Sequence, residues 1–167
     1  MGEPFEQQKQ LPRLNYSDRD WYQGVSSTDD AYTSSVFMSS TINEPAIAVA
    51  VPVSAPGGGN ETAGTIGYWV AIVNLDTIES SLRDMQNDDK RVVFVDQNGT
   101  EIADSARNPS TKRTELRSFA DLQGVKAALA GKSGSLTENV DGKDMLVSYA
   151  PLNAHPYTWA AVVMTRQ

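Results

Sequence analysis

Cysteine is absent from the 167 residues, and histidine occurs once, at His155. Without cysteine the chain has no disulfides, no thiolate metal sites and no cysteine nucleophile. One histidine cannot form a zinc site unaided, and no nucleophile elbow accompanies it for serine chemistry. It precedes Pro156 between two strand-like segments, which predicts an exposed turn residue. We therefore predict no metal, no cofactor and no catalysis.

Basic residues are in the minority, with 14 Lys and Arg against 21 Asp and Glu and a net charge of −7. Binding of nucleic acid needs clustered basic side chains, so this composition excludes it. Solubility is a sufficient explanation for the acidity. No apolar run approaches the roughly 20 residues that a membrane-spanning helix needs.

A short apolar phrase occurs twice in the chain. Residues 69–73 read Trp-Val-Ala-Ile-Val, and residues 159–163 read Trp-Ala-Ala-Val-Val. Each phrase follows a strand-like run that contains a proline. A repeated strand–loop–strand unit indicates two tandem modules of one type, although two apolar strands can also match by chance.

In the first half, Ser17 and Asp20 match a capping box, which predicts a helix over about residues 18–26. A strand over 46–53 alternates strictly between bulky residues and small ones. We expect the bulky face, which includes Val49 and Val53, to be the core face. The alanines on the other face indicate either close packing of a helix or room for a ligand. A flexible loop, a strand over 65–74 and a helix over 75–86 follow.

The second half has a complete set of elements, with predicted strands at 91–95, 100–104, 134–140, 145–151 and 157–164 and a helix over about 119–130. The turn signals between the strands, Asn-Gly and Asp-Gly, are typical of hairpins. Five strands with one helix between them predict a small α+β antiparallel fold. The first half has the last three strands of this plan but no counterpart of residues 92–103. We place the boundary so that the modules are 1–86 and 87–167.

In their order along the chain these segments resemble the double Cache family, the PAS-like extracytoplasmic sensor regions of prokaryotic histidine kinases and chemoreceptors. The resemblance is carried by residues 18–22 (Asp-Arg-Asp-Trp-Tyr), 46–53, 64–67, 75–78, 93–100 and 146–152 with Trp159. It implies two tandem PAS-like modules of antiparallel sheet with flanking helices. The membrane-distal module, 1–86, is then an N-terminally truncated, incomplete one, and 87–167 is the membrane-proximal module.

The resemblance also implies a function and a location. The chain is expected to be the extracytoplasmic, small-molecule-sensing part of a membrane receptor, dimeric in the full-length protein. It would meet the membrane only through segments outside this chain. Two alternatives stay open: a free-standing secreted binding or adhesion module, and a hydrolase that uses scattered acids.

Arg19 and Trp21 match positions that hold a ligand carboxylate in amino-acid-sensing members of that family. A guanidinium offers a carboxylate a planar pair of donors, and an indole N–H adds a third. The alternative is an ion pair of Arg19 with Asp18 or Asp20, together with a Trp21 that belongs to the core.

Three further residues are candidates for the ligand site by the same resemblance. Phe37 and Ile72 stand where the family has a tyrosine and an ammonium-binding aspartate, and Tyr32 lies five residues before Phe37. A pocket without that aspartate has no carboxylate for an ammonium group. We therefore expect a carboxylate or an uncharged ligand rather than an α-amino acid.

Overall fold

The computed structural model describes residues 15–40, 42–55, 64–83, 89–108 and 110–166. These ranges contain three helices, α1 (Asp20–Thr28), α2 (Leu75–Arg83) and α3 (Gln123–Leu129). They also contain nine strands: β1 (Tyr32–Thr33), β2 (Phe37–Met38), β3 (Pro45–Ser54), β4 (Thr65–Asn74), β5 (Lys90–Val95), β6 (Glu101–Asp104), β7 (Gly134–Val140), β8 (Lys143–Ala154) and β9 (Tyr157–Arg166). Residues 1–14 and most of the loop between β3 and β4 lie outside the described residues.

The strands form two antiparallel sheets. In the first sheet β3 is central, with β4 on one side and the short strands β1 and β2 on the other. The second sheet has the order β6-β5-β9-β8-β7. The predicted α+β class with antiparallel sheets and flanking helices is confirmed.

The two apolar phrases occupy equivalent places. Trp69 lies in β4, which pairs along its length with β3, and Trp159 lies in β9, which pairs in the same way with β8. The phrases therefore mark equivalent hairpins in the two sheets. In the second sheet the other edge of β9 pairs with β5. The division at residues 86 and 87 stays a prediction, because α2 contacts both sheets.

Helix α1 does not begin with the predicted capping box. Arg19 holds the N-cap position with an extended backbone and no side-chain cap, and the helix starts at Asp20. The Asp20 carboxylate accepts hydrogen bonds from the Tyr32 hydroxyl and from the N–H and hydroxyl of Ser35. Asp20, the acid of the predicted capping box, therefore makes tertiary contacts instead. The prediction that Ser17 caps the helix is wrong.

The predicted core face of β3 is correct only near the start of the strand, where Ile47 of the bulky face is buried with Leu75, and the alanine face is buried as well. Ala46, Ala48 and Ala50 have no exposed surface, whereas Val53, on the bulky face, is 41% exposed. Alanine side chains let α1 approach the sheet closely, and Val25 of that helix packs on Ala50. Of the two explanations for the alanine face, close packing of a helix is therefore correct around Ala50.

Helix α2 joins the two sheets through one apolar cluster. Its Leu75 and Leu82 are buried together with residues of both halves of the chain: Val36, Ile47, Val92, Ile102 and Ala103. The helix is described as far as Arg83, and its predicted end at 86 lies outside the described residues. Because its apolar stripe touches both sheets, it fixes their relative position.

A buried ion cluster lies beside that apolar cluster. Arg113 donates hydrogen bonds to the Ile102 carbonyl at 2.8 Å and to Glu101 at 2.6 Å, and it lies 2.9 Å from Glu79 of α2. Arg107 lies 2.9 Å from Glu101 and 3.5 Å from Glu79. Burial raises the pKa of the Glu79 carboxyl above its usual 4.5, although Arg113 and Arg107 oppose the shift. The cluster is therefore a second connection between α2 and the second sheet.

Helix α3 begins at Gln123 rather than near 119. Leu122 is extended, and Phe119 is buried in the core before the helix starts. The Glu138 carboxylate of β7 accepts hydrogen bonds from the N–H groups of Gln123 and Gly124. A carboxylate at this end of a helix is favoured by the unpaired N–H groups there, so a partner distant in sequence sets the start of α3.

Candidate ligand-binding site

A pocket of about 250 Å³ lies between the start of α1 and the first sheet. Its walls come from three separate stretches of the chain, and they are mostly apolar or aromatic. The lining residues are Tyr16, Arg19, Trp21, Phe37, Ser39, Ser40, Val70 and Ile72.

The register of the first sheet places the floor of this pocket. Phe37 lies opposite Ala46, Ile72 lies opposite Ala48, and Val70 lies opposite Ala50. Directly opposed residues of antiparallel strands point to the same face. Phe37, Val70 and Ile72 therefore share the face on which α1 packs. The alanine side chains are short, so they leave space on this face between the larger side chains.

The Arg19 guanidinium is the positive group of the pocket. Its Cζ atom lies 5.6 Å from the centre of the Phe37 ring, a cation–π distance. Among the described residues no carboxylate lies within ion-pair distance of it. The predicted alternative, an ion pair with Asp18 or Asp20, is not formed, and the Asp20 carboxylate bonds Tyr32 and Ser35.

Aromatic rings form one wall of the pocket. The Trp21 ring lies 5.9 Å from the rings of both Tyr16 and Tyr22. Trp21 also packs against the cluster of Val25, Tyr32 and Ala50. Trp21 is thus a core contact and a pocket residue at once, and the two interpretations made from the sequence do not exclude each other.

The structure brings together four of the five predicted site residues. Arg19, Trp21, Phe37 and Ile72 line the same pocket. Tyr32 does not line it. This side chain is 5% exposed, and its hydroxyl lies 2.6 Å from the Asp20 carboxylate and 2.7 Å from the Tyr157 hydroxyl. Burial and these hydrogen bonds raise the pKa of Tyr32 well above its ordinary value.

Sequence reasoning missed four lining residues. Val70 lies two positions before Ile72, so the two-residue period of a strand would have identified it. Ser39 and Ser40 directly follow the short strand β2, which carries Phe37. Tyr16 lies in the polar stretch before α1 and carries no sequence signal for this role.

Two other properties concern the described residues as a whole. They contain no group of three or more His, Asp or Glu side chains that could hold a metal ion. None of the helices in the described ranges has the length and apolar character needed to cross a membrane.

The structure thus combines two antiparallel sheets, flanking helices and a small pocket over the first sheet. The chain belongs to the Cache domain family, whose model matches residues 2–167. None of the curated proteins matches the chain.

Solved structures with a similar fold include sensor domains of bacterial chemoreceptors. The periplasmic sensory domain of the Campylobacter jejuni chemoreceptor Tlp1 is 17% identical with a TM-score of 0.69, over 90% of this chain and 56% of that one. The ligand-binding domain of the Pseudomonas aeruginosa amino acid chemoreceptor PctB, in complex with L-Gln, is 16% identical with a TM-score of 0.63, over 93% and 60%. The ligand-binding domain of the Pseudomonas fluorescens chemoreceptor CtaA, in complex with L-leucine, is 15% identical with a TM-score of 0.58, over 93% of this chain and 62% of that one. The chain thus spans about three fifths of the length of these structures.

These findings confirm the predicted double Cache family, and with it an extracytoplasmic sensing region. They give no support to a free-standing secreted adhesion module. The family and the similar structures are sensor and ligand-binding domains rather than enzymes.

The expectation that an α-amino acid is a less suitable ligand than a carboxylate or an uncharged molecule is wrong. Domains of this fold are found with L-Gln and with L-leucine bound. The physical error was to require a carboxylate for the ammonium group. Hydroxyl oxygens also accept hydrogen bonds from an ammonium group, and Tyr16, Ser39 and Ser40 carry hydroxyls at the pocket.

Proposed function

We propose that this chain binds a small α-amino acid in the pocket at the start of α1, as the sensing part of a chemoreceptor-type membrane receptor. The observation that supports this best is a guanidinium without a carboxylate partner among the described residues, set in an otherwise largely apolar pocket. An unpaired buried or half-buried charge is costly, so such a group favours an anionic ligand.

Each part of such a ligand has a complementary group in the pocket. The carboxylate pairs with Arg19, and the Trp21 indole N–H is a further donor. The ammonium group donates hydrogen bonds to the hydroxyl oxygens of Ser39 and Ser40. The side chain lies against Phe37 and Ile72, which favours an aliphatic side chain over a charged one. At about 250 Å³ the pocket suits a ligand smaller than a drug-sized molecule.

The same lining residues argue for binding without turnover. Among the described residues the pocket is lined by no Asp, Glu, His, Lys or Cys. General acid–base or nucleophilic catalysis relies mainly on these side chains. We infer that the site is a receptor site and that the chain has no catalysis of its own.

Signalling then follows from a shift between two arrangements of the protein. A ligand that binds one arrangement more tightly raises its population, and the shift cannot exceed the difference in binding free energy. We assign residues 1–86 to the membrane-distal, ligand-binding module and 87–167 to the membrane-proximal one. The full-length receptor would act as a dimer.

A thermal-shift panel tests this proposal. We expect L-leucine and L-isoleucine to raise the melting temperature, and L-arginine, L-glutamate and acetate to raise it less. At 100 times the Kd a ligand adds about 2.7 kcal/mol to the free energy of unfolding. Arg19→Ala should weaken binding roughly 10- to 100-fold, because hydrogen bonds to charged groups contribute about 1.5–3 kcal/mol.

Arg166→Ala is the matched control, since Arg166 is exposed at the end of β9 and far from the pocket in the fold. Unchanged affinity in the control and a loss in Arg19→Ala would support the assignment. Equal affinity in both variants, or no shift with any amino acid, would contradict it.

A further inference from the structure

A chain of hydrogen bonds connects the helix of the pocket to the second sheet. The Asp20 carboxylate at the start of α1 lies 2.6 Å from the Tyr32 hydroxyl. That hydroxyl lies 2.7 Å from the hydroxyl of Tyr157, the first residue of β9. The rings of Tyr32 and Tyr157 also meet edge to face, with 5.7 Å between their centres. The hydrogen bond between Tyr32 and Tyr157 joins residues that are 125 positions apart in the sequence.

The donors in this chain have a defined direction. An ionised carboxylate only accepts hydrogen bonds, so the Tyr32 hydroxyl donates its single proton to Asp20. The Tyr157 hydroxyl must then donate to the Tyr32 oxygen. Successive bonds of this kind polarise one another, and burial of Tyr32 strengthens them. A change at either end therefore alters the whole series.

The segment that carries Tyr32 is fixed to the second half of the chain at two more points. The Thr33 N–H donates to the His155 carbonyl at 3.0 Å. The Val36 N–H donates to the carboxylate of Asp96 at 2.8 Å. Asp96 is fully buried in the β5–β6 turn, where its other oxygen accepts two backbone N–H groups of that turn. The segment is therefore anchored to the second sheet, and α1 holds it through Asp20.

The position of Asp20 links this anchor to the ligand site. Its two neighbours in sequence, Arg19 and Trp21, both line the pocket. On the next turn Gly24 lies so close to the Tyr32 ring that an added methyl group would overlap it. A ligand that draws Arg19 and Trp21 together must move the start of α1, and with it Asp20 and Tyr32.

We propose that the series Asp20–Tyr32–Tyr157 is the coupling element through which occupancy of the pocket reaches the second sheet. Its physiological purpose rests on the proposed function, but the coupling itself does not. Coupling between two sites is reciprocal, so a perturbation at Tyr157 must be felt at α1 to the same extent as the reverse.

The first test measures amide hydrogen exchange of the whole chain without ligand. In Tyr157→Phe we expect the amides of residues 20–28 to exchange about fivefold faster, the effect of losing one net hydrogen bond on local opening. Tyr68→Phe is the matched control, because Tyr68 packs in the same cluster and its hydroxyl makes no hydrogen bond with the described residues. Unchanged exchange of α1 in Tyr157→Phe, or an equal change in the control, would overturn the proposal.

The second test works from the opposite end. Gly24→Ala places a methyl group against the Tyr32 ring, and we expect the amides at the start of β9 to exchange severalfold faster. Gly67→Ala is the control, because nothing lies within 4 Å of an added methyl group there. Faster amide exchange that is confined to α1 and β1 would contradict the coupling. Because neither test contains a ligand, a failed ligand panel and a failed coupling test give separate results.

Discussion

Replacement of Arg113 by alanine is expected to lower the free energy of unfolding by about 3–5 kcal/mol, the usual cost of removing one partner from a buried ion pair. The side chain is buried, and its guanidinium contacts Glu101, Glu79 and the Ile102 carbonyl. Without it the two carboxylates keep, among the described residues, only Arg107 close by and Arg83 at 3.9 Å from Glu79. Urea unfolding followed by circular dichroism measures the change.

Lys112→Ala is the matched control for that variant. Lys112 precedes Arg113 but is exposed, and its ion pair with Glu44 at 3.4 Å lies at the surface. Exposed pairs of this kind contribute about 0–1 kcal/mol. A loss of less than about 1 kcal/mol in Arg113→Ala would show that the cluster is not a stabilising connection between α2 and the second sheet.

The cost of Arg113→Ala should also depend on pH. The folded protein raises the pKa of Glu79 above 4.5, so the contribution of this group to stability is fully present below pH 4.5 and is lost as the pH rises through the folded pKa. Arg113 opposes that shift, so its removal raises the pKa further. The destabilisation should therefore be smallest in acid and largest at neutral pH. A cost that does not change with pH would exclude Glu79 as its source.

The second half of the fold was predictable because its signals are local. The Asn-Gly and Asp-Gly turns and the two-residue alternation of β7–β9 fix strands without reference to distant partners. A further signal was present and not used: Gln-Gly-Val occurs at residues 23–25 and again at 123–125. In both helices the glycine lies against the sheet, close to Tyr32 in one case and Val147 in the other.

What could not be predicted depends on contacts between distant residues. Alternation in β3 identified two faces, but only the position of α1 decides that the alanine face is buried as well as Ile47 of the bulky face. Tyr32 was assigned to the pocket from its distance in sequence to Phe37. In the fold it points to Asp20 and Tyr157, a partner that no spacing indicates. The charges of Glu79 and Arg113 were likewise indistinguishable from surface charges in the sequence.

Leu75→Ala is expected to destabilise both sheets at once, by about 2–5 kcal/mol, the range for large-to-small substitutions in a core. Leu75 is fully buried and belongs to the apolar cluster that joins α2 to Ile47 of the first sheet and Ile102 of the second. Removing its side chain leaves a cavity that neither sheet can fill alone. Circular dichroism in urea reports the whole chain, and tryptophan fluorescence includes Trp159, which packs on the same cluster.

Leu116→Ala is the matched control, the same substitution at a leucine that is 45% exposed. Exposed substitutions away from special features usually change stability by less than about 0.5 kcal/mol. If α2 couples the sheets, both probes should shift to lower urea concentration together in Leu75→Ala. A transition that separates into two steps would mean that the two sheets unfold independently and that α2 belongs to one of them. If the helix then follows the second sheet, the boundary at residues 86 and 87 would need to move to before Leu75, and if it follows the first sheet, the boundary stays where it is.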